Sequence, residues 1–276
     1  MSVSVIINTH NNYSEKDGCI EAVVLSVLNQ TAVDFEIIVV DNASIEKDRS
    51  ILEKFISGLG SKNNIKLLFN IDNNVSVGRN LGYKNSNYNM LIFMDDDIFL
   101  EEKNVLHRVE IIAIGQKYGY GAIRKWTTEK WYNENKIDLY NSLKSMGEEC
   151  YVSTVIPDPT IRRKKNCRHL LRTYIGNFGF IYKDVLASVG GWDEFFNGYG
   201  IEDDSMAFKL YMNYGTPCIL APIYVIHFSH KIKDKCYEQL IRNKQLFDKI
   251  LHKNGIKCFH GGRLLYNEDL SIIEYL

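Results

Sequence analysis

Met90-Leu91-Ile92-Phe93-Met94-Asp95-Asp96-Asp97 is an apolar run that stops on three carboxylates. Five consecutive apolar residues predict a strand buried on both faces, and three adjacent anions cannot share that burial without a large desolvation cost. The triplet is therefore expected at a solvent-facing strand exit. There Asp95 and Asp97, two residues apart, can converge on one hard divalent cation, which prefers carboxylate oxygens and also takes phosphate oxygens from a substrate. A polar strand-to-loop cap is the plainer reading of an isolated acidic triplet.

Upstream, Val3 to Asn8 is a short β-rich run that ends in the polar turn Asn8-Thr9-His10-Asn11-Asn12. Ile20, Val23, Val24, Val27 and Leu28 follow at helical spacing, one apolar stripe. Phe35-Glu36-Ile37-Ile38-Val39-Val40 then predicts a second buried strand, closed by Asp41-Asn42-Ala43-Ser44. Strand, helix, strand within about 40 residues is a βαβ unit, whose parallel strands place their polar exits at one edge of the sheet. The pattern repeats: Leu52, Phe55 and Ile56 mark a helix, Ile65 to Phe69 a strand, and Ser76 to Lys84 a short helix bearing Gly78-Arg79-Asn80. Asp41 and the acidic triplet thus both lie past carboxyl ends of parallel strands, the edge where open α/β sheets bind ligands. Taken singly, each has the ordinary explanation of a turn-forming residue.

Together these stretches resemble family 2 glycosyltransferases with the GT-A fold. The match is carried by Val3 to Asn11, Ser26 to Thr31, Phe35 to Ser44, Gly78-Arg79-Asn80-Leu81-Gly82 and Phe93 to Asp97, in order and at ordinary spacings. The resemblance implies the α/β fold of nucleotide-diphospho-sugar transferases, a mainly parallel central sheet flanked by helices. It also implies a nucleotide-sugar site drawn from Thr9, Asn11, Asp41, Asn42, Arg79, Asp95 and Asp96. In that site Thr9 and Asp41 would lie near the base and ribose and Arg79 near the base or phosphates. Asp95 and Asp97 would form the D-x-D pair that presents Mn2+ or Mg2+ to the diphosphate. The residues themselves agree, because a leaving nucleoside diphosphate needs its developing charge neutralised by a metal and cationic groups.

Beyond Leu100, Val105, Leu106, Val109 and Ile112 predict another amphipathic helix, and from about Thr127 to Arg172 clear periodicity is lost. This stretch holds Trp131, Tyr132 and the basic run Arg162 to His169. An irregular segment of such length reads as a binding loop or mobile lid, against the alternative of a solvated charged loop. A lid over pyrophosphate and contact with an anionic acceptor or membrane surface both stay open. Next, Tyr182 to Val189 reads as a helix ended by Gly190-Gly191, and Trp192 to Phe196 as a turn with exposed aromatics. Asn197 to Asp204 leads into a helix with the stripe Ala207, Leu210, Tyr211 and Tyr214. Acidic residues at a helix start serve as caps by default, since the free N–H groups and macrodipole favour anions.

Here, however, Gly190-Gly191-Trp192-Asp193-Glu194 followed by Gly200-Ile201-Glu202-Asp203-Asp204 is similar to the acceptor-side block of GT-A enzymes that transfer galactose or N-acetylgalactosamine. The resemblance implies that Asp203 is the general base and that Glu202 holds acceptor hydroxyls. A sugar hydroxyl becomes acidic only as its oxygen bonds to the anomeric carbon, so a carboxylate of low pKa suffices. One-step displacement opposite the diphosphate would invert the anomeric centre. The strand Ile223 to Phe228 carries His227, where a metal-completing histidine is expected in such enzymes, with His230 a near alternative. A helix from Tyr237 to Leu251 places Leu240, Phe247 and Leu251 on one face, closing over the core.

Composition bounds these readings. With 276 residues, 45% hydrophobic and 24% charged, the chain predicts one globular GT-A domain. It divides into a nucleotide-sugar half (1–100), an acceptor-side half with a mobile segment at 127–172 (101–235), and a C-terminal helix and tail (236–276). No apolar run approaches bilayer-spanning length, and no signal peptide precedes Val3, so a cytoplasmic location is expected, with peripheral membrane contact left open. Six scattered cysteines without a Cys-x-x-Cys pair suit reduced thiols, and a net charge of −1 gives no pull toward nucleic acid. The implied activity is metal-dependent transfer from UDP-Gal, UDP-GalNAc, UDP-Glc or UDP-GlcNAc to a saccharide, glycolipid or peptide hydroxyl. A sugar nucleotidyltransferase would want a Gly-rich, basic loop after the first strand, which Asn8 to Asn12 lacks. An inactive sugar-binding module would lose the carboxylates, and they are present.

Overall fold

The computed structural model describes residues 2–60, 64–146, 151–154, 168–169, 176–198, 200–215, 217–220, 223–229, 236–254, 264–266 and 272–275. Strands β1 (Ser2–Thr9), β2 (Asp34–Asn42), β3 (Ile65–Asn70) and β4 (Met90–Asp95) alternate with helices. These are α1 (Asn12–Glu15) and α2 (Ile20–Leu28) before β2, α3 (Glu46–Gly58) after it, and α4 (Val75–Lys84) before β4. Then come β5 (Ile98–Phe99), α5 (Val105–Ile112), β6 (Tyr118–Tyr120) and β7 (Ile123–Thr127). They are followed by α6 (Glu129–Asn135), α7 (Leu139–Lys144), β8 (Tyr151–Thr154), β9 (Arg168–His169), β10 (Phe178–Tyr182) and α8 (Lys183–Ser188). The chain closes with α9 (Glu202–Tyr214), β11 (Cys218–Ile219), β12 (Tyr224–His227), α10 (Cys236–Lys253), β13 (Leu264–Tyr266) and β14 (Ile272–Tyr275). No helix among the described residues is long and apolar enough to cross a membrane.

The central sheet has seven strands in the order β11-β6-β10-β4-β1-β2-β3. β1 pairs in parallel with β2 and β4, and β2 with β3, as the βαβ reading requires. β10 runs antiparallel between β4 and β6. Side chains alternate between two cores. Val5, Ile7, Val39, Ile92 and Met94 join α2 on one face. Ile6, Ile38, Val40, Leu91 and Phe93 join Val185, Leu186, Met206 and Leu210 of α8 and α9 on the other. Each apolar run is continuous because both faces are covered, and every fully buried aliphatic side chain contributes about 1.5–3 kcal/mol.

A second sheet has the order β5-β12-β7-β8, and its strand β5 follows the acidic triplet directly. Its pairing of His227 with Ile98 carries β12 alongside the residue that follows the acidic triplet.

Three sequence expectations need correction. Residues 128–144 are not a loose loop: they form α6 and α7, and Tyr132, Leu139 and Leu143 enter the main core. Tyr132 comes from α6 and Leu139 and Leu143 from α7, and the break between two short helices, with the polar residues around them, hides the period. From residue 147 onward the 127–172 segment, including Arg162 to Cys167 of the basic run, lies outside the described residues apart from β8 and β9. The aromatics after Gly191 are also not generally exposed. Trp192 is 2% exposed and meets Phe93 edge-on at 5.2 Å, while Phe196 is buried against Phe208 and Phe247, and only Phe195 faces outward. Finally, α10 closes this small separate cluster, through Phe247 and Leu251, and not the main core.

Candidate active site

The three consecutive carboxylates at the end of β4 meet three different environments. Asp95, the last strand residue, has a 36% exposed side chain. It receives Asn177 Nδ2 on Oδ2 at 2.9 Å and Arg79 Nη2 on Oδ1 at 3.3 Å. Asp96 turns inward: its Oδ2 accepts Thr9 Oγ1 and Asn12 Nδ2, each at 2.7 Å, and its Oδ1 accepts Lys16 Nζ at 2.7 Å. Asp97 also takes Lys16 Nζ at 2.7 Å, on Oδ2, and faces His227 Nε2 with Oδ1 at 3.4 Å. The expectation of a solvent-facing triplet thus holds for Asp95 alone. Asp96 and Asp97 are buried because Lys16, a residue the sequence reading missed, brings a cation to both. Lys16 stands in the turn Ser14-Glu15-Lys16-Asp17, and nothing local distinguishes it from a solvated lysine.

His227 Nδ1 lies 2.9 Å from the carbonyl oxygen of Phe228, which can only accept, so Nδ1 carries a proton and Nε2 is directed at Asp97. An imidazole nitrogen and a carboxylate oxygen facing each other suit a shared proton or a metal such as Mn2+. Among the described residues, however, no three His, Cys, Asp or Glu side chains surround a common point. Asp97 and His227 are brought together, while Asp95 is turned toward Arg79 and Asn177. His230 lies outside the described residues.

Arg79, on α4 and only 4% exposed, is where the two halves of the chain meet. Nη2 reaches Asp95, and Nη1 reaches Asp203 Oδ1 at 3.1 Å and Glu202 Oε1 at 3.5 Å. Its guanidinium lies over the Trp192 ring, 4.4 Å from the centroid, and against Gly176, where any side chain would overlap it. Among the described residues the ion pairs of Arg79, the residue expected beside the base or phosphates, are with Asp95, Glu202 and Asp203. Asp203 and Glu202 open α9, and Gly176 N–H donates to Asp203 Oδ1 at 3.0 Å. Burial, and the neighbouring Glu202 and Asp95 carboxylates, push Asp203 up to about 7 against the pull of Arg79. Burial likewise raises Glu202 and Asp95, and burial beside Asp203 raises Asp204 to about 8. Asp203, expected from sequence to be a carboxylate of low pKa, is raised instead, chiefly by burial, which its share of one arginine does not offset.

The remaining candidates sit at the ends of β1 and β2, with polar atoms engaged in building the loops. Asp41 is fully buried, with Arg49 Nε at 3.2 Å. Asn42 Oδ1 accepts from Asn70, and the Asn42 carbonyl faces His10 Nδ1 at 2.7 Å. Asn11, in the left-handed region at φ 47°, ties its N–H to Ser44 and its Oδ1 to Ile45 N–H. Thr9 is spent on Asp96.

This arrangement sits in a recognised sequence family: the glycosyl transferase family 2 pattern matches residues 4–190. The chain belongs to that family. Chondroitin synthase of Escherichia coli is 26% identical over 228 residues, covering 76% of this chain and 32% of that protein. The family's GT-A fold is shared with solved structures. S. aureus TarS 1–349 in complex with UDP-GlcNAc superposes with a TM-score of 0.58 at 18% identity, covering 87% of this chain and 64% of that one. The mannosyltransferase PcManGT from Pyrobaculum calidifontis, in complex with GDP-Man and Mn2+, gives 0.59 at 16% identity, covering 91% and 63%. The chain thus spans about a third of chondroitin synthase and a little under two thirds of the solved TarS chain. The family match ends before Glu202 and Asp203.

Proposed function

We propose that this family 2 chain transfers a sugar from a nucleotide-diphosphate donor, UDP-linked, to a hydroxyl of a saccharide, glycolipid or peptide, with inversion and with a divalent cation. The observation that carries the proposal is the Arg79 clamp, which joins Asp95 of the β4 exit to Glu202 and Asp203 of α9 through one guanidinium. A donor-side carboxylate and an acceptor-side carboxylate are thereby held on one cation at the carboxyl edge of the sheet. Family membership, and the UDP-GlcNAc, GDP-Man and Mn2+ bound by structural neighbours, support a nucleotide-sugar donor.

On this reading Asp97 and His227 would hold the cation, joined by Asp95 if it leaves Arg79, and the cation would offset the charge developing on the departing diphosphate. Asp203 accepts the acceptor hydroxyl proton as that oxygen bonds to the anomeric carbon, and a base near neutrality is well matched to this task. Glu202 positions the other acceptor hydroxyls. Arg79 keeps the carboxylates from repelling one another before substrate arrives. Thr9, Asn11, Asp41, Asn42 and Asp96 shape the nucleotide end of the cleft.

The test is a panel of UDP- and GDP-linked sugars with Mn2+, Mg2+ or EDTA, reading nucleoside diphosphate release, alongside calorimetry of UDP with Mn2+. Asp97→Asn, which keeps the size of the buried side chain, is expected to remove metal-dependent UDP affinity. Unchanged affinity would overturn the metal assignment.

A further inference from the structure

Helix α10 lies beyond the family match and has so far no part in the reaction. Its contacts are with the loop that introduces the acidic helix. Arg242 Nη2 donates to the carbonyl of Asn197 at 2.8 Å. The buried Asn243 donates through Nδ2 to two carbonyls, that of Asn197 at 3.2 Å and that of Gly200 at 3.0 Å. The loop passes so close beneath α10 that a Cβ at Gly200, whose φ is +85°, would lie 2.6 Å from Leu240 Cδ1. Below it, Phe247 packs edge-on to Phe196 and Phe208 from either side of the same loop and helix.

The next residue is Ile201, held at φ 79°, a region that β-branched side chains rarely enter. Such a conformation persists only where its surroundings over-determine it. The Ile201 carbonyl accepts Ser205 N–H at 2.9 Å, the first bond of α9, so the direction of the first turn follows from this one residue. Glu202 and Asp203 stand in that turn.

We infer that α10 is a splint for the acceptor-side carboxylates, and that Asn243 is its positioning residue, fixing Asn197 and Gly200 so that Ile201 stays left-handed and Asp203 keeps its aim. Only a side chain with two N–H groups on one nitrogen can serve both carbonyls from this buried place. Leucine offers none, and aspartate would set a carboxylate against two carbonyl oxygens. The inference rests on Asp203 being the base.

The experiment compares Asn243→Leu and Arg242→Ala with the unaltered protein by hydrogen exchange, UDP calorimetry with Mn2+, and turnover of whichever of UDP-Glc, UDP-Gal, UDP-GlcNAc and UDP-GalNAc it uses. In Asn243→Leu, amides of residues 196–206 should exchange at least about tenfold faster while those of β1 to β4 do not change. Turnover should fall by about ten- to a hundredfold with the donor KM and UDP affinity unmoved, because a shift of about 1 Å in a reacting group costs rate and not donor binding. Arg242→Ala should move exchange and turnover the same way and less. It also decides the matter if Asn243→Leu fails to bind UDP, since Arg242 leaves the buried packing intact. Unchanged exchange at 196–206, or a loss of UDP affinity in step with turnover in Arg242→Ala, would overturn the inference. Full transfer by Asp203→Asn would sink the base assignment alone. Full turnover by Asn243→Leu, beside an inactive Asp203→Asn, would sink the splint alone.

Discussion

Glu36, fully buried, and Asp203, partly buried, are carboxylates near opposite ends of the same sheet, and the protein treats them in opposite ways. Glu36, near the start of β2, collects Ser4 Oγ at 2.6 Å, Asn87 N–H at 2.5 Å, Asn87 Nδ2 at 2.9 Å and Lys66 Nζ at 2.9 Å. Burial works against its charge, but these donors and the Lys66 cation overcome it and hold the carboxyl below the usual glutamate range. At Asp203 the Gly176 N–H and a share of one arginine oppose burial, and burial wins. The difference teaches that the balance of burial, donors and neighbouring charges, and not depth alone, decides whether an acid serves the fold or stays available to take a proton.

The comparison breaks most severely if the shared cation is removed. Arg79→Met leaves Asp95, Glu202 and Asp203 without their common counter-ion, and is expected to cost roughly 3–5 kcal/mol of stability at pH 7 in denaturant titrations. The deficit should shrink at low pH, where the three acids are neutral. A loss under about 1 kcal/mol would show that the clamp is slack.

Asp203→Asn sharpens the comparison from the other side. It should keep UDP affinity and lose transfer by about a hundredfold or more in steady-state kinetics, the usual scale for deleting a general base. Its stability should move upward. A carboxyl whose folded pKa is raised binds protons that the unfolded chain has released, so the native state loses stability as pH climbs from about 4 to about 7. Thermal melts of Asp203→Asn should therefore decline less across that window than those of the unaltered protein.

Glu36→Gln carries the smallest of the three effects. A lowered folded pKa contributes stability that is present above the ordinary glutamate value near 4.5 and is lost as pH falls through the lowered one. The substitution should cost about 1–3 kcal/mol at neutral pH and progressively less below about pH 4.5. A cost independent of pH would mean that shape, and not charge, is what the Ser4, Asn87 and Lys66 donors recognise.

The sheet was legible in the sequence because it rests on local signals. Continuous apolar runs gave β1, β2 and β4, and the stripe from Ile20 to Leu28 gave α2. A desolvation argument placed Asp95 to Asp97 at a strand exit, though it missed the burial of Asp96 and Asp97, and a family resemblance picked out Glu202 and Asp203. What escaped were relations between distant residues. Lys16 reaches Asp97 across 81 positions and Arg79 reaches Asp203 across 124, and no periodicity encodes either pairing. Tyr132 and Trp192 escaped for another reason: aromatic residues with a polar atom fit a core as well as a surface, and only the partners, Lys16 carbonyl for Tyr132 and Phe93 for Trp192, decide between them.

One consequence follows for the chain during its synthesis. β4 is central in the finished sheet, with β1 on one side and β10 on the other, yet β10 ends at Tyr182. Until the ribosome has delivered those later residues, on the order of ten seconds at ordinary elongation rates, Met90 to Met94 has one unpaired, wholly apolar edge. Slower translation between Asp95 and Phe178 would prolong that interval, and nascent chains halted within it should aggregate or recruit chaperones more than chains released after Tyr182.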